Sequence, residues 1–175
     1  MTTGAAGLPG EPDGFERLWT AHRMAYITEN AAGGERTCPF CAIPGSDDES
    51  GLIVHRGAEC YVVMNLYPYN PGHVLVCPYR HVADYTDLTL TETAELAALT
   101  QKTMAVIRSV SAPAGFNLGM NQGQVAGAGI AEHLHQHIVP RWLGDANFLP
   151  IIGRTKAVPQ LLADTRALLA EAWRD

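Results

Sequence analysis

Two periods of apolar residues alternate along this chain, and each predicts a type of element. From Phe15 to Asn30, Leu18, Trp19, Met24 and Ile27 are spaced as on one face of a helix. AAGGERT then breaks the pattern, and CPFCAIP with the acidic GSDDES reads as a loop. GLIVHRG and ECYVVMNLYPYNPG follow the two-residue period of strands and can pair as a hairpin across Gly57–Ala58. HVLVCPYRH predicts a third strand. Thr89 or Thr91 then caps a long helix with Leu96, Leu99, Met104 and Ile107 along its buried stripe, ending before Pro113. GFNLGMNQG and HLHQHIVPRW predict the fourth and fifth strands, with QVAGAGIA as the loop between them. LGDANFLPIIG is irregular, and VPQLLADTRALLAEAW forms a last helix with Pro159 in its first turn. Hairpin-linked strands with helices inserted between them predict an α+β fold with an antiparallel sheet.

Composition narrows the function classes. The 175 residues suit one compact domain, here 15–175, after a flexible lead-in over residues 1–14. A net charge of −6 disfavours a nucleic-acid polymer as partner, because phosphate backbones need a basic surface. It leaves room for a small anionic substrate held by a few local donors. No apolar run reaches the roughly 20 residues of a membrane helix. The opening MTTGAAGLPGEPDG has neither the basic start nor the apolar core of an export signal. The expected location is therefore cytoplasmic, where paired cysteines suggest a metal before a disulfide.

The richest chemistry lies in the fifth strand. His133, His135 and His137 alternate, so strand geometry puts their imidazoles on one face and Leu134, Gln136 and Ile138 on the other. Two readings fit: a metal site, or phosphoryl chemistry. A neutral imidazole is a good nucleophile near neutral pH and can attack phosphorus, dividing one displacement into two. Neighbouring histidines and backbone N–H groups can hold the phosphate oxygens. The small residues of QVAGAGIA let the backbone approach an anion.

HLHQHIV, NLYPYNPGHVLVCPYRH and GMNQGQVAGAG together resemble the histidine triad (HIT) superfamily of nucleotide hydrolases and transferases, over residues from about 38 to 142. HIVPRWLGDANF with a C-terminal helix is similar to the bacterial branch that includes diadenosine tetraphosphate phosphorylases. The resemblance implies a HIT-like antiparallel five-stranded sheet with flanking helices and a homodimer. It implies His135 as nucleophile, with His137 and His73 at the transferred phosphate. It places Asn65 at the ribose and Asn121, Gln122 and the Gly129 backbone on the phosphate side. The substrate it implies is a nucleotide such as a dinucleoside polyphosphate, with inorganic phosphate or water as acceptor. Gln136 and Gly129 depart from the family pattern; Gly129 offers only its backbone N–H, which leaves the acceptor open.

Cys38-Pro39-Phe40-Cys41 has a redox reading and a metal reading. Redox motifs of this kind follow a strand and open a helix, and neither flank here predicts one. As half of a tetrahedral zinc site the pair needs two more ligands. His81, at the end of CPYRH, and His133 are the candidates, and galactose-phosphate uridylyltransferases and some bacterial HIT proteins resemble this arrangement. Such zinc would be structural.

Cys60 and Cys77 are expected in the core and His22 and His55 on a surface or helix face. Arg80, Arg141 and Arg154 read as solvated unless they meet a distal phosphate. Trp142 suits a dimer interface or the leaving group. Two rival functions remain: a HIT-fold binding protein without efficient turnover, and a zinc hydrolase using the triad itself as ligands. A nucleoside phosphoramidate or aminoacyl-nucleotide hydrolase is a further variant.

Overall fold

A computed structural model describes residues 38–145 and 160–174. The predicted lead-in, the helix over Phe15 to Asn30, His22, Arg154, Pro159 and most of the irregular 143–153 stretch lie outside these residues. The described chain opens with a single helical turn, α1 (Pro39–Ala42), continued by a 3-10 turn over Ile43–Gly45. The sequence predicted a loop here. Pro39 favours the first helical position, and the Cys41 and Ala42 N–H groups bond back to the Cys38 carbonyl.

Strands β1 (Ile53–Arg56), β2 (Cys60–Met64), β3 (Val74–Pro78), β4 (Gly115–Gly119) and β5 (Gln136–Arg141) form one antiparallel sheet in the order β1-β2-β3-β5-β4. β2 and β3 are buried along their whole length, as central strands covered on both faces must be. Their alternation sorts two cores. Cys60, Val62, Met64, Val74 and Val76 face α2 (Leu90–Ser111) and α3 (Leu162–Ala172), with Leu96, Leu99, Ile107, Leu169 and Trp173 completing the cluster. Tyr61, Val63, Leu75 and Cys77 face the other way and pack with Phe40. In the ladder Leu75 stands opposite His137 and Val74 opposite Ile138, so His137 shares the face of Phe40 and Ile138 joins the helices.

The β1–β2 hairpin turns at Gly57–Ala58 as predicted. The Glu95 carboxylate of α2 accepts the backbone N–H groups of Ala58, Glu59 and Cys60 there. Gly57 is required, since a Cβ at this position would lie 2.8 Å from the Cys60 carbonyl oxygen.

Thr89 caps α2 through a capping box with Glu92, and Ala112 ends it in the left-handed region just before Pro113. Glu92 is 3% exposed and takes hydrogen bonds from Arg80 Nε at 2.9 Å, Arg80 Nη2 at 2.7 Å and the Thr89 N–H at 2.8 Å. These, Arg80 first, hold its carboxyl down at about 2. A lowered folded-state pKa stabilises the fold above the ordinary carboxylate range and loses that contribution as the proton returns. Arg80 is half exposed, which screens the pair. Glu92→Gln is therefore expected to cost about 1–2 kcal/mol near neutral pH. It should also flatten the loss of stability between about pH 4.3 and about pH 2, as urea denaturation at several pH values will show. An unchanged slope would assign acid sensitivity to other groups.

Candidate active site and metal centre

The fifth strand is shorter than predicted. Its ladder with β3 ends at Val76 opposite Gln136, so only His137 of the three histidines is a strand residue. The preceding residues are held by other bonds: the Leu134 N–H donates to the Val82 carbonyl at 2.6 Å, and the His133 ring is drawn to the Pro78 carbonyl at 3.0 Å. The His135 and His137 rings remain neighbours, with centroids 4.9 Å apart and edge to face.

Each ring serves a different partner. His135 is 7% exposed, and its Nδ1 lies 2.8 Å from the His133 carbonyl. A carbonyl only accepts, so Nδ1 carries the proton and the lone pair is on Nε2. Burial holds this imidazole below its ordinary pKa, against the opposing effect of that hydrogen bond, and keeps it neutral near pH 7.

His73 is fully buried at the foot of β3, delivered by the Pro-Gly turn in which Gly72 has φ of +72°. Its Nδ1 accepts from the Tyr69 N–H at 3.0 Å and lies 3.2 Å from the Asn65 amide nitrogen. The proton of a neutral His73 is therefore on Nε2, which stands 3.0 Å from His137 Nδ1. This chain of tautomers places the proton of a neutral His137 on its buried Nε2. The Tyr69 ring stacks on His137 at 5.6 Å and 16°. Sequence reasoning passed over Tyr69, although an aromatic residue just before a Pro-Gly-His turn was a usable signal.

Asn65 is engaged on both ends, its Oδ1 taking the Tyr67 N–H at 3.0 Å. Gln122 braces the loop before α2, its Oε1 accepting the Tyr85 N–H at 3.0 Å. Asn121 is half-buried at the end of β4, and Gly129 is exposed on the loop leading to His133. Arg80 and Arg141 both meet carboxylates, Glu92 and Asp145. The Trp142 indole N–H donates to the Ser111 carbonyl at 3.2 Å. Cys60 and Cys77 are buried, as expected; burial pushes the Cys60 thiol up to about 12 and raises the Cys77 thiol as well. His55 is half-buried and stacks on Trp173 at 4.5 Å.

Cys38, Cys41, His81 and His133 come together from α1, the end of β3 and the loop before β5, with their ligand atoms all within 4.8 Å of one another. Cys41 Sγ lies 3.2 Å from His81 Nδ1 and 3.4 Å from His133 Nδ1, and Cys38 Sγ lies 3.4 Å from His133 Nδ1. In a tetrahedron with metal–sulfur bonds of about 2.3 Å and metal–nitrogen bonds of about 2.0 Å, sulfur and nitrogen corners stand roughly 3.5 Å apart. The donor set therefore fits a small divalent ion. His133 donates Nε2–H to the Pro78 carbonyl, which leaves Nδ1 bare as a ligand. Partial desolvation, then the neighbouring Cys38, raise the Cys41 thiol, a cost that a bound cation removes. The three triad rings do not converge on one ion, because His133 Nδ1 faces the two cysteine sulfurs rather than His135 and His137.

The HIT domain model matches residues 48–142. The chain is 54% identical over 170 residues to a Mycobacterium tuberculosis protein named AP-4-A phosphorylase, covering 94% of this chain and 87% of that one. It is 40% identical over 93 residues to the asymmetrical bis(5'-nucleosyl)-tetraphosphatase of Schizosaccharomyces pombe, covering 53% of this chain and 50% of that one. Among solved structures, a zinc-bound histidine triad family protein from Mycobacterium smegmatis superposes with a TM-score of 0.63 at 28% identity, over 81% of this chain and 96% of that one. Sheet order, triad and sequence agree: this chain belongs to the HIT family.

Proposed function

We propose that the chain is a nucleotidyltransferase that cleaves dinucleoside polyphosphates by phosphorolysis through a nucleotidyl-His135 intermediate. One observation carries it: the bond from His135 Nδ1–H to the His133 carbonyl at 2.8 Å commits the ring proton and leaves Nε2 as a neutral nucleophile. Nε2 attacks the α-phosphorus, a P–N bond forms, and the bond from that phosphorus to the leaving polyphosphate oxygen breaks. The ring becomes cationic, and the same carbonyl stabilises its Nδ1–H. His137, with its proton directed to Nε2 through His73, donates a hydrogen bond to the leaving oxygen as charge gathers there and keeps its proton. An oxygen of inorganic phosphate then attacks, the P–N bond breaks, and a nucleoside diphosphate leaves with His135 neutral again.

Supporting phosphate over water as acceptor is the likeness to the M. tuberculosis phosphorylase over nearly the whole chain. Asn65, Asn121, Gln122 and the Gly129 backbone are assigned to the nucleotide and its phosphates. Cys38, Cys41, His81 and His133 are assigned to zinc, which when bound acts as a structural cross-link between α1 and the loop carrying the triad. Reduced cysteines used as ligands suit a cytoplasmic protein. A homodimer is assigned to the open edge of β4, where Leu118 is exposed.

The test is incubation with diadenosine tetraphosphate, with and without inorganic phosphate. ADP and ATP formed only with phosphate are the expected result. AMP and ATP formed without phosphate would make the protein a hydrolase. Tight binding with neither product would make it a nucleotide-binding protein.

A further inference from the structure

Phe40 lies between the two cysteines of the CPFC motif, and its side chain is not a metal ligand. Its ring is 7% exposed and stands 4.8 Å from the His135 ring, tilted by 39°, and 5.5 Å from the His133 ring. Its carbonyl accepts the Tyr61 hydroxyl at 2.7 Å, and Tyr61 is fully buried on β2. Its side chain is part of the cluster with Tyr61, Val63, Leu75 and Cys77 on the same face of the sheet as His137. One residue of α1 is thus tied to the rigid sheet by its backbone and laid against the nucleophile by its ring.

We infer that Phe40 is a positioning residue for His135: its ring forms the wall that holds the imidazole in the orientation that donates to the His133 carbonyl and presents Nε2. Physical need supports this. A single hydrogen bond fixes one atom of an imidazole but leaves rotation about that bond. A packed aromatic surface removes the rotation, and a misplacement of about 1 Å at a nucleophile can cost about a hundredfold in rate. The motif then divides its labour. Cys38 and Cys41 face the metal cluster, and the residue between them faces the reacting histidine. The rate consequence rests on the nucleotidyl-transfer reading; the contact itself does not.

The experiment uses the full-length, zinc-loaded protein with Phe40→Ala and Phe40→Leu. The readouts are metal content, the nitrogen NMR shifts of the His135 ring without substrate, and kcat and KM for diadenosine tetraphosphate. Phe40→Ala is expected to keep its metal, to shift the His135 nitrogens from one bare and one protonated site toward averaged tautomers, and to lower kcat about 30- to 100-fold with KM changed less than about threefold. Phe40→Leu, which keeps apolar volume, should recover most of the rate. A raised KM with unchanged kcat and unchanged ring shifts would make Phe40 a substrate contact and overturn the proposal. Loss of metal in both variants, with the ring shifts following the metal, would overturn it as well. Altered ring shifts in a protein whose wild type forms no nucleotidyl-histidine would sink the transfer reading and leave Phe40 as the holder of His135.

Discussion

His135→Asn should fold, bind nucleotide with an affinity close to the wild type, and turn over at least about 10⁴-fold more slowly. Asparagine can keep a donor toward the His133 carbonyl, so the local backbone bond survives. What it lacks is a second nitrogen with a lone pair to attack phosphorus. Rapid quench with labelled substrate should trap a nucleotidyl-protein in the wild type and none in the variant. The effect is large because none of the neighbouring histidines among the described residues replaces the missing atom: His133 Nε2 is bonded to Pro78, His73 is fully buried, and His137 carries its proton on Nε2. Normal turnover in His135→Asn would reject a covalent route through this ring, whatever the substrate.

The second large effect is expected at the cysteines. If the four-residue cluster holds zinc as proposed, the double substitution Cys38→Ser, Cys41→Ser should lower the bound metal to nearly none. It should also destabilise the fold by about 3 kcal/mol, a fall in Tm of roughly 6–12 °C for a domain of this size. Serine keeps the shape but is a poor zinc ligand. The fold should survive, because the sheet and both helices have a core of their own. Turnover should fall too, since the carbonyl that fixes His135 belongs to His133, itself one of the four metal-site residues. Metal analysis with a melting curve checks both. Unchanged zinc would move the metal to another site and make the triad the first place to look.

Local rules were enough for much of this. The hairpin at Gly57–Ala58, the Thr89 cap, the end of α2 before Pro113 and the alternation of β2 and β3 follow from turn chemistry, capping and period, which act over a few residues. Long-range partners were legible only in part. His81 and His133 were named as partners of the CPFC pair because zinc needs four donors, and the structure brings all four together. The one-turn helix at Pro39 escaped notice because four residues carry too little pattern to show a period.

The His133–His135–His137 segment marks the boundary most clearly. The residues and their spacing came from the sequence, and with them the chemistry they suit. The extended alternation that seemed to align them is not what does so. His133 turns to the carbonyl of the last residue of β3 and to the cysteines, His135 to the backbone of His133 and the ring of Phe40, and His137 to His73. Sequence determines which groups are present and which local conformations are cheap. Which nitrogen of each imidazole holds its proton depends on hydrogen-bond partners up to 64 residues away, and only the tertiary fold sets those.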